Sequence, residues 1–490
     1  MNLIGKLLVK NTLWLFLANV LAKLFKLGLV IMMARQLGPA AFGHFSYFLS
    51  LFSLIYLVLD VGISQVYVRE FQRTDVDDTT LFGTSIYAKT LMSIITLLLL
   101  LGYSVFVQPP ELKIIAILTS LSCLIWTMRL FFVSVTRSRL QMKNESISFC
   151  VENFVTSFLG IGFLFFCPSL PLVAFAYFLG ALMGLVVLLA LSEDILPLTF
   201  RFEMGIFRRL FPIWVPVLGT SIVYPIISTT DTVLLNWMVG PESVGIYQAA
   251  YKFIQFLGLI PFVFASVMYP FFSKWHQDTE QLVSLIRFSF SFSGFVVLPF
   301  TVAGVLLAPS IFLSVYGPEF AGSIPVFMVF LALLLPFFIT TLFNQLLLAL
   351  DAQVQNFWIS SLTAVVNLVL NLIFIVYWGV IGATLATVIS RWIDFALTYF
   401  VAYKRLNAHM LPLTDYWIYV LASVLMGGVI YLFLYLSAGY WILPAVAGPL
   451  IYCAILWLLR KRISWYGSPA INSILEIIRN KSIGDQNAIH

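Results

Sequence analysis

Apolar residues in this chain run in long blocks rather than in alternation, and the blocks break at charges, Gly-Pro pairs and polar clusters. Blocks of roughly 20 residues or more can cross a bilayer core as helices, and counting them predicts about fourteen spans. They cover about 11–33, 41–66, 83–107, 111–136, 147–167, 171–191, 213–238, 242–272, 283–314, 321–350, 355–377, 379–403, 413–437 and 441–459. The runs at 242–272, 283–314 and 321–350 are longer than one crossing needs and contain Pro, which predicts tilt or kinks. The expected fold is therefore an all-α polytopic membrane protein.

The pattern also repeats. Gly38, Pro39, Gly43 and Phe45 have the spacing of Gly240, Pro241, Gly245 and Tyr247, an offset of 202 residues (Gly38 to Gly240) that lays the first span on the seventh and the second on the eighth. Polar stripes follow it: Ser46, Ser50 and Ser53 share one helical face of the second span, and Gln248, Lys252 and Gln255 are their equivalents. Asn19, Lys23 and Lys26 form a stripe on the first span; Ser221, Pro225 and Ser228 match it, with Tyr224 and Asp231 extending the second copy. Two pseudo-symmetric six-helix bundles in the same orientation are expected, with a substrate near the midplane between them. The expected division is an N-terminal lobe over 1–200 that includes the start of a linker, a C-terminal lobe over 201–407, and two peripheral helices with a tail over 408–490. The linker alternates Arg201, Arg208 and Arg209 with Ile206, Phe207, Leu210 and Phe211, which suits an interfacial segment. The tail repeats Ile471, Ile474, Leu475 and Ile478 at helical spacing, which suits another.

Composition agrees with the span pattern: 61% of the 490 residues are hydrophobic and 10% charged. The first apolar run is not followed by a small-residue cleavage pattern and reads as a retained helix. Cys123, Cys150, Cys167 and Cys453 lack CxxC spacing and read as small packing residues. His44, His276, His409 and His490 lack metal-ligand spacing, so no metal site and no cofactor are expected. No GxxxxGK[ST] motif occurs, and the expected outer loops are too short to carry a catalytic domain. No catalytic residues are assigned; a transporter is expected rather than an enzyme.

The net charge of +6 reflects orientation rather than nucleic-acid binding. With the N-terminus cytoplasmic, most of the 27 Lys and Arg fall in inner segments, which places both termini in the cytoplasm and the chain in the plasma (inner) membrane. Arg35 and Lys113 are left at outer ends. The informative cations lie inside spans: Lys23, Lys26, Lys89, Arg129, Lys252, Arg287 and Arg391. A Lys or Arg at the bilayer centre costs roughly 2.5 to 3.5 kcal/mol on insertion scales, so such residues normally face a wet cavity, a counter-ion or a substrate. The excess of cations suits an anion. Lys23, Lys26, Lys252 and Arg391 are deepest and are the candidate substrate ligands, Arg391 being able to engage two oxygens at once. Lys89, Arg129 and Arg287 are near cytoplasmic ends, where they can snorkel or, with Arg35, serve as entry or gate residues. Among the acids, Asp60, Asp231 and Asp394 are coupling candidates. Asp60 has no obvious local partner, Asp394 is three residues from Arg391 on a stripe with Thr384, Thr387 and Thr398, and Glu152 lies near a cytoplasmic end. Tyr47, Tyr224, Tyr247 and Tyr251 are candidates for stacking on sugars.

Ala34-Arg35-Gln36-Leu37-Gly38-Pro39, Phe42-Gly43, Asp60-Val61-Gly62 and Val68-Arg69-Glu70 resemble the opening signature of the bacterial and archaeal polysaccharide exporters, the O-antigen-type oligosaccharide-unit flippases. Asp231-Thr232-Val233-Leu234-Leu235, Val244-Gly245-Ile246-Tyr247, Ala249-Ala250-Tyr251-Lys252 and Gly379-Val380-Ile381-Gly382-Ala383 are similar to that family's later pattern. The resemblance implies an alternating-access carrier that moves a polyprenyl-diphosphate-linked oligosaccharide from the inner to the outer leaflet. It also covers the lipid II flippases and the multidrug and toxin extrusion transporters of the same superfamily. The excess of cations argues against a carrier of organic cations. A monomer is expected, in contact with membrane lipid and open to a polysaccharide polymerase, with proton antiport or the membrane potential as the drive.

Overall fold

A computed structural model describes residues 3–60, 62–73, 77–195, 201–436 and 441–459. Every regular element among them is helical: α1 (Leu3–Leu59), α2 (Ile63–Arg73), α3 (Asp78–Gly102), α4 (Pro110–Ser138), α5 (Met142–Phe166), α6 (Leu170–Leu191), α7 (Met204–Met238), α8 (Pro241–Leu257), α9 (Leu259–Lys274), α10 (Thr279–Val315), α11 (Ser323–Leu331), α12 (Leu334–Ala349), α13 (Gln353–Leu406), α14 (Leu413–Leu436) and α15 (Ile442–Leu459). Ten helices among the described residues are long and apolar enough to cross a membrane, or eleven if the pair α11 and α12, bent by 47°, counts as one span. The protein is a multi-pass membrane protein. The expected tail helix lies outside the described residues.

Two of the helices contain a break that the sequence announces. In α1 the backbone leaves helical geometry at Gly38 (φ 77°, ψ 173°) and re-enters it at Pro39, while α13 breaks at Gly379 (φ 53°, ψ −125°). Glycine tolerates that positive φ, and proline, with φ fixed and no N–H to satisfy, starts the next helix. Gly240 (φ 123°) with Pro241 performs the same turn between α7 and α8.

The long Pro-containing runs divide unevenly. The run 242–272 splits into α8 and α9 at Gly258 and 321–350 into α11 and α12, whereas 283–314 continues as one helix, α10, with Pro299 and Pro309 inside it. The second expected span is shorter than its apolar run: α1 ends at Leu59, and past Gly62 the chain forms the separate amphipathic α2. Alternating Ile63, Val66 and Tyr67 with Gln65, Arg69 and Gln72 gives that helix one buried face.

The chain separates into two compact units, residues 1–252 with 368–383, and residues 253–367 with 384–490. In the first, α5 packs on α1 and α6 through small residues: a Cβ at Gly160 would lie 2.6 Å from the Leu29 side chain, and one at Gly184 2.8 Å from Glu152. A second cluster joins Ile63, Val66 and Tyr67 of α2, Leu81 and Phe82 of α3 and Phe131 and Val135 of α4 to Leu210 and Trp214 of α7. Arg201, Arg208 and Arg209 remain exposed, so the linker has the amphipathic character its sequence predicts. Repeat-related glycines meet here. A Cβ at Gly43 would lie 1.7 Å from the Pro241 carbonyl oxygen, and one at Gly245 2.0 Å from the Pro39 carbonyl oxygen.

In the second unit α14 docks on α10. From Tyr416 to Leu459 the sequence has no charged residue, but the group that fixes these helices lies just before it: buried Asp415 accepts from the Ser291 hydroxyl at 2.5 Å, and Ser291 is 2.7 Å from the Tyr419 hydroxyl. Tyr452 of α15 donates to the Phe295 carbonyl at 2.9 Å.

Candidate functional site

The cations predicted from sequence separate into those paired one-to-one and those gathered together in the first unit. Lys89 of α3 is 1% exposed, pairs with Asp60 and donates to the Thr127 hydroxyl at 2.7 Å, while Ser64 also donates to Asp60 at 3.3 Å. Lys89 therefore does not snorkel, and Asp60 is not partnerless. The reason is geometric: the partners are on separate helices, and each satisfies a charge that neither lipid nor packing could. Arg391 pairs with Asp394 at 3.5 Å along one turn of α13, the structural alternative its spacing allowed. Arg287 is exposed and donates twice to the His409 carbonyl, at 3.1 and 2.8 Å, so in the second unit it fastens the segment before α14. Arg35 is exposed on the turn before Gly38.

Arg129 of α4 is buried and does not snorkel either. Its guanidinium meets Glu152 of α5 at 2.7 Å, lies 3.4 Å from the Ser148 hydroxyl and covers the Phe149 ring at 5.6 Å. Close by on α1, the Lys26 ammonium is 5.3 Å from the Tyr177 ring centre and within electrostatic reach of Arg129 and Glu152. Lys252 of α8 also feels the charge of Lys26. The first unit thus gathers Lys26, Arg129 and Lys252, with Glu152 among them. Lys23, one turn before Lys26, is exposed and is not part of this group.

Asp231 of α7 is 2% exposed and accepts from the Tyr247 hydroxyl at 2.5 Å and from Asn371 of α13 at 2.6 Å. Beside it Gln248 donates to Thr232 at 2.6 Å. Tyr47 shares a hydrogen bond with Tyr103 at 3.0 Å and is 7% exposed. Tyr47 and Tyr247 are therefore occupied inside the protein rather than presented to a sugar; Tyr251 stacks on Tyr247 at 5.8 Å, and the Tyr224 side chain lies outside the described residues. Sequence reading missed Asn371 and placed Glu152 near a cytoplasmic end without its partner Arg129. A signal existed for the first, because Asn367 and Asn371 share a face of an otherwise apolar span.

Among the described residues no three His, Cys, Asp or Glu side chains converge as a metal site. The chemistry within reach is electrostatic: a cationic group in a membrane-spanning bundle holds an anion far more strongly than the same charges do in water.

The family described as polysaccharide biosynthesis protein matches residues 8–276. The chain is similar to "Probable flippase AglR" of Haloferax volcanii, 31% identical over 33% of this chain and 35% of that protein. It is also similar to "Probable low-salt glycan biosynthesis flippase Agl15" of the same organism, 24% identical over 78% of this chain and 81% of that one. In fold it resembles the lipid II flippase MurJ in an inward closed conformation, with a TM-score of 0.76 at 16% identity, over 92% of this chain and 99% of that one. With more than half of its length matched, the chain belongs to the polysaccharide biosynthesis protein family.

Proposed function

We propose that this protein is a lipid-linked glycan flippase that carries a polyprenyl-diphosphate-linked oligosaccharide from the cytoplasmic to the outer leaflet by alternating access, for surface polysaccharide synthesis. It moves its substrate and does not transform it. The observation that carries this reading is the gathering of Lys26, Lys252 and Arg129 in the first unit, with the Glu152 carboxylate beside Arg129. A lipid-linked diphosphate has about two negative charges and needs such a site to enter a low-dielectric bundle. Arg391, paired with Asp394, remains a candidate ligand. The flippases named among the relatives support the class.

Both termini are proposed to be cytoplasmic, on the excess of Lys and Arg in the inner segments. In that orientation the reciprocal approach of Gly43 and Gly245 lies at the outer side and is the closed outer seal. With the cytoplasm negative, an anion moving outward gains about 2.3 kcal/mol per charge per 100 mV, so the potential can drive the loaded step. Asp231 is the candidate site at which proton entry resets the empty carrier.

The test is flipping by the purified protein in proteoliposomes of a fluorescent polyprenyl-diphosphate oligosaccharide, beside lipid II and an organic cation. Transfer of the diphosphate oligosaccharide is expected. Transfer of the cation alone refutes the reading, and transfer of lipid II alone replaces the substrate with a peptidoglycan precursor.

A further inference from the structure

The charged groups of the first unit are balanced unequally. The Lys89 and Asp60 pair is one-to-one, and the Thr127 and Ser64 hydroxyls complete it. Glu152, in contrast, is one carboxylate facing two cations, Arg129 at 2.7 Å and Lys26 within electrostatic reach. Its side chain is 15% exposed where that of Arg129 is 4%. Arg129 has two further contacts on α5, the Ser148 hydroxyl at 3.4 Å and the Phe149 ring at 5.6 Å. Room for Glu152 is made by Gly184 of α6: a Cβ there would lie 2.8 Å from the Glu152 Cβ and 3.4 Å from its Oε2. The helix contact is shaped around a carboxylate that leaves one positive charge over.

We propose that Glu152 is a tethered counter-anion that occupies the Lys26 and Arg129 site in the empty carrier and yields it to the substrate diphosphate, so that neutralising Glu152 tightens substrate binding. This inference rests on the reading of the substrate as a diphosphate lipid. An internal anion keeps the cations compensated while the site is empty, which avoids two uncompensated charges in a spanning bundle. It also limits affinity, as a carrier that must release its cargo requires. A diphosphate esterified at both ends competes with Glu152 for the same two cations, Lys26 on α1 and Arg129 on α4, and substitution of the carboxylate removes that competition.

The experiment measures binding of a fluorescent polyprenyl-diphosphate N-acetylglucosamine lipid, and of an uncharged polyprenyl glycoside, to the full chain in nanodiscs at neutral pH. Wild type is expected to prefer the diphosphate lipid. Glu152→Gln and Glu152→Ala are each expected to tighten binding of the diphosphate lipid about tenfold and to leave the uncharged lipid unchanged, and Lys26→Ala to weaken binding of the diphosphate lipid. A folded Glu152 variant that binds the diphosphate lipid no tighter overturns the proposal. A Lys26→Ala that binds it as wild type does overturns it as well. A wild type without preference for the diphosphate over the uncharged lipid instead removes the substrate reading on which the proposal stands.

Discussion

Lys89 and Glu152 show how one residue's role depends on partners that no local pattern reveals. The span pattern sets both near cytoplasmic ends, where a charged side chain can ordinarily reach the interface, but both lie in the middle of their helices, α3 and α5, and are paired across helices. For Lys89 the pair is closed and structural. Asp60→Asn or Lys89→Met alone leaves a buried charge uncompensated and is expected to lower stability by about 3 to 5 kcal/mol, whereas the double variant recovers much of that loss. Thermal unfolding in detergent, followed by fluorescence, measures the three directly; additive losses would mean the two groups are not coupled. Asp231 belongs with the structural carboxylates in its contacts, since Tyr247 and Asn371 both donate to it. Asn371→Ala is therefore expected to lower folded yield as well as any coupled proton movement, readable as reduced proton influx in a dye-loaded vesicle.

Among the elements, the glycine-proline turns were legible in sequence and their contact was not. The repeat of Gly38-Pro39 and Gly240-Pro241 announced equivalent turns, and both glycines take positive φ. Nothing in a linear pattern states that Gly43 meets Pro241 while Gly245 meets Pro39; that reciprocity follows from packing of the two repeats. Gly43→Ala or Gly245→Ala sets a methyl against a backbone carbonyl that has no flexible end to move aside. Each is expected to hold those helices apart, raising the labelling rate of a cysteine placed at Ala40 by a membrane-impermeant thiol reagent, with unchanged rates counting against a close seal. The docking of α14 was hidden for another reason. Its anchor, Asp415, precedes the apolar run, and its partner Ser291 is far away in sequence. Asp415→Ala leaves Ser291 and Tyr419 short of a buried acceptor, at a cost of about 1 to 3 kcal/mol, measurable as loss of protein in size-exclusion chromatography after heating.

For the whole molecule, hydropathy was sufficient to find an all-helical membrane protein, because spanning length is a direct consequence of bilayer thickness. The boundary at Gly379 was legible, between the expected spans 355–377 and 379–403, whereas one where an apolar run continued into an amphipathic helix, as past Gly62, was less so. The excess of cations was also plain in sequence, but their partition was not: it took the packing of α1, α4, α5 and α8 to separate Lys26, Arg129 and Lys252 from the paired Lys89. The central claim is that this gathered charge carries the substrate diphosphate. The most direct test is the initial rate of flipping of a fluorescent polyprenyl-diphosphate oligosaccharide in proteoliposomes, at matched protein content, for wild type and Lys26→Gln/Lys252→Gln under an imposed potential. The account predicts a wild-type rate that rises when the compartment the anion leaves is made negative, and a double variant slowed by at least about tenfold, the effect of losing charge-assisted contacts to phosphate. A folded double variant that flips at the wild-type rate would contradict it.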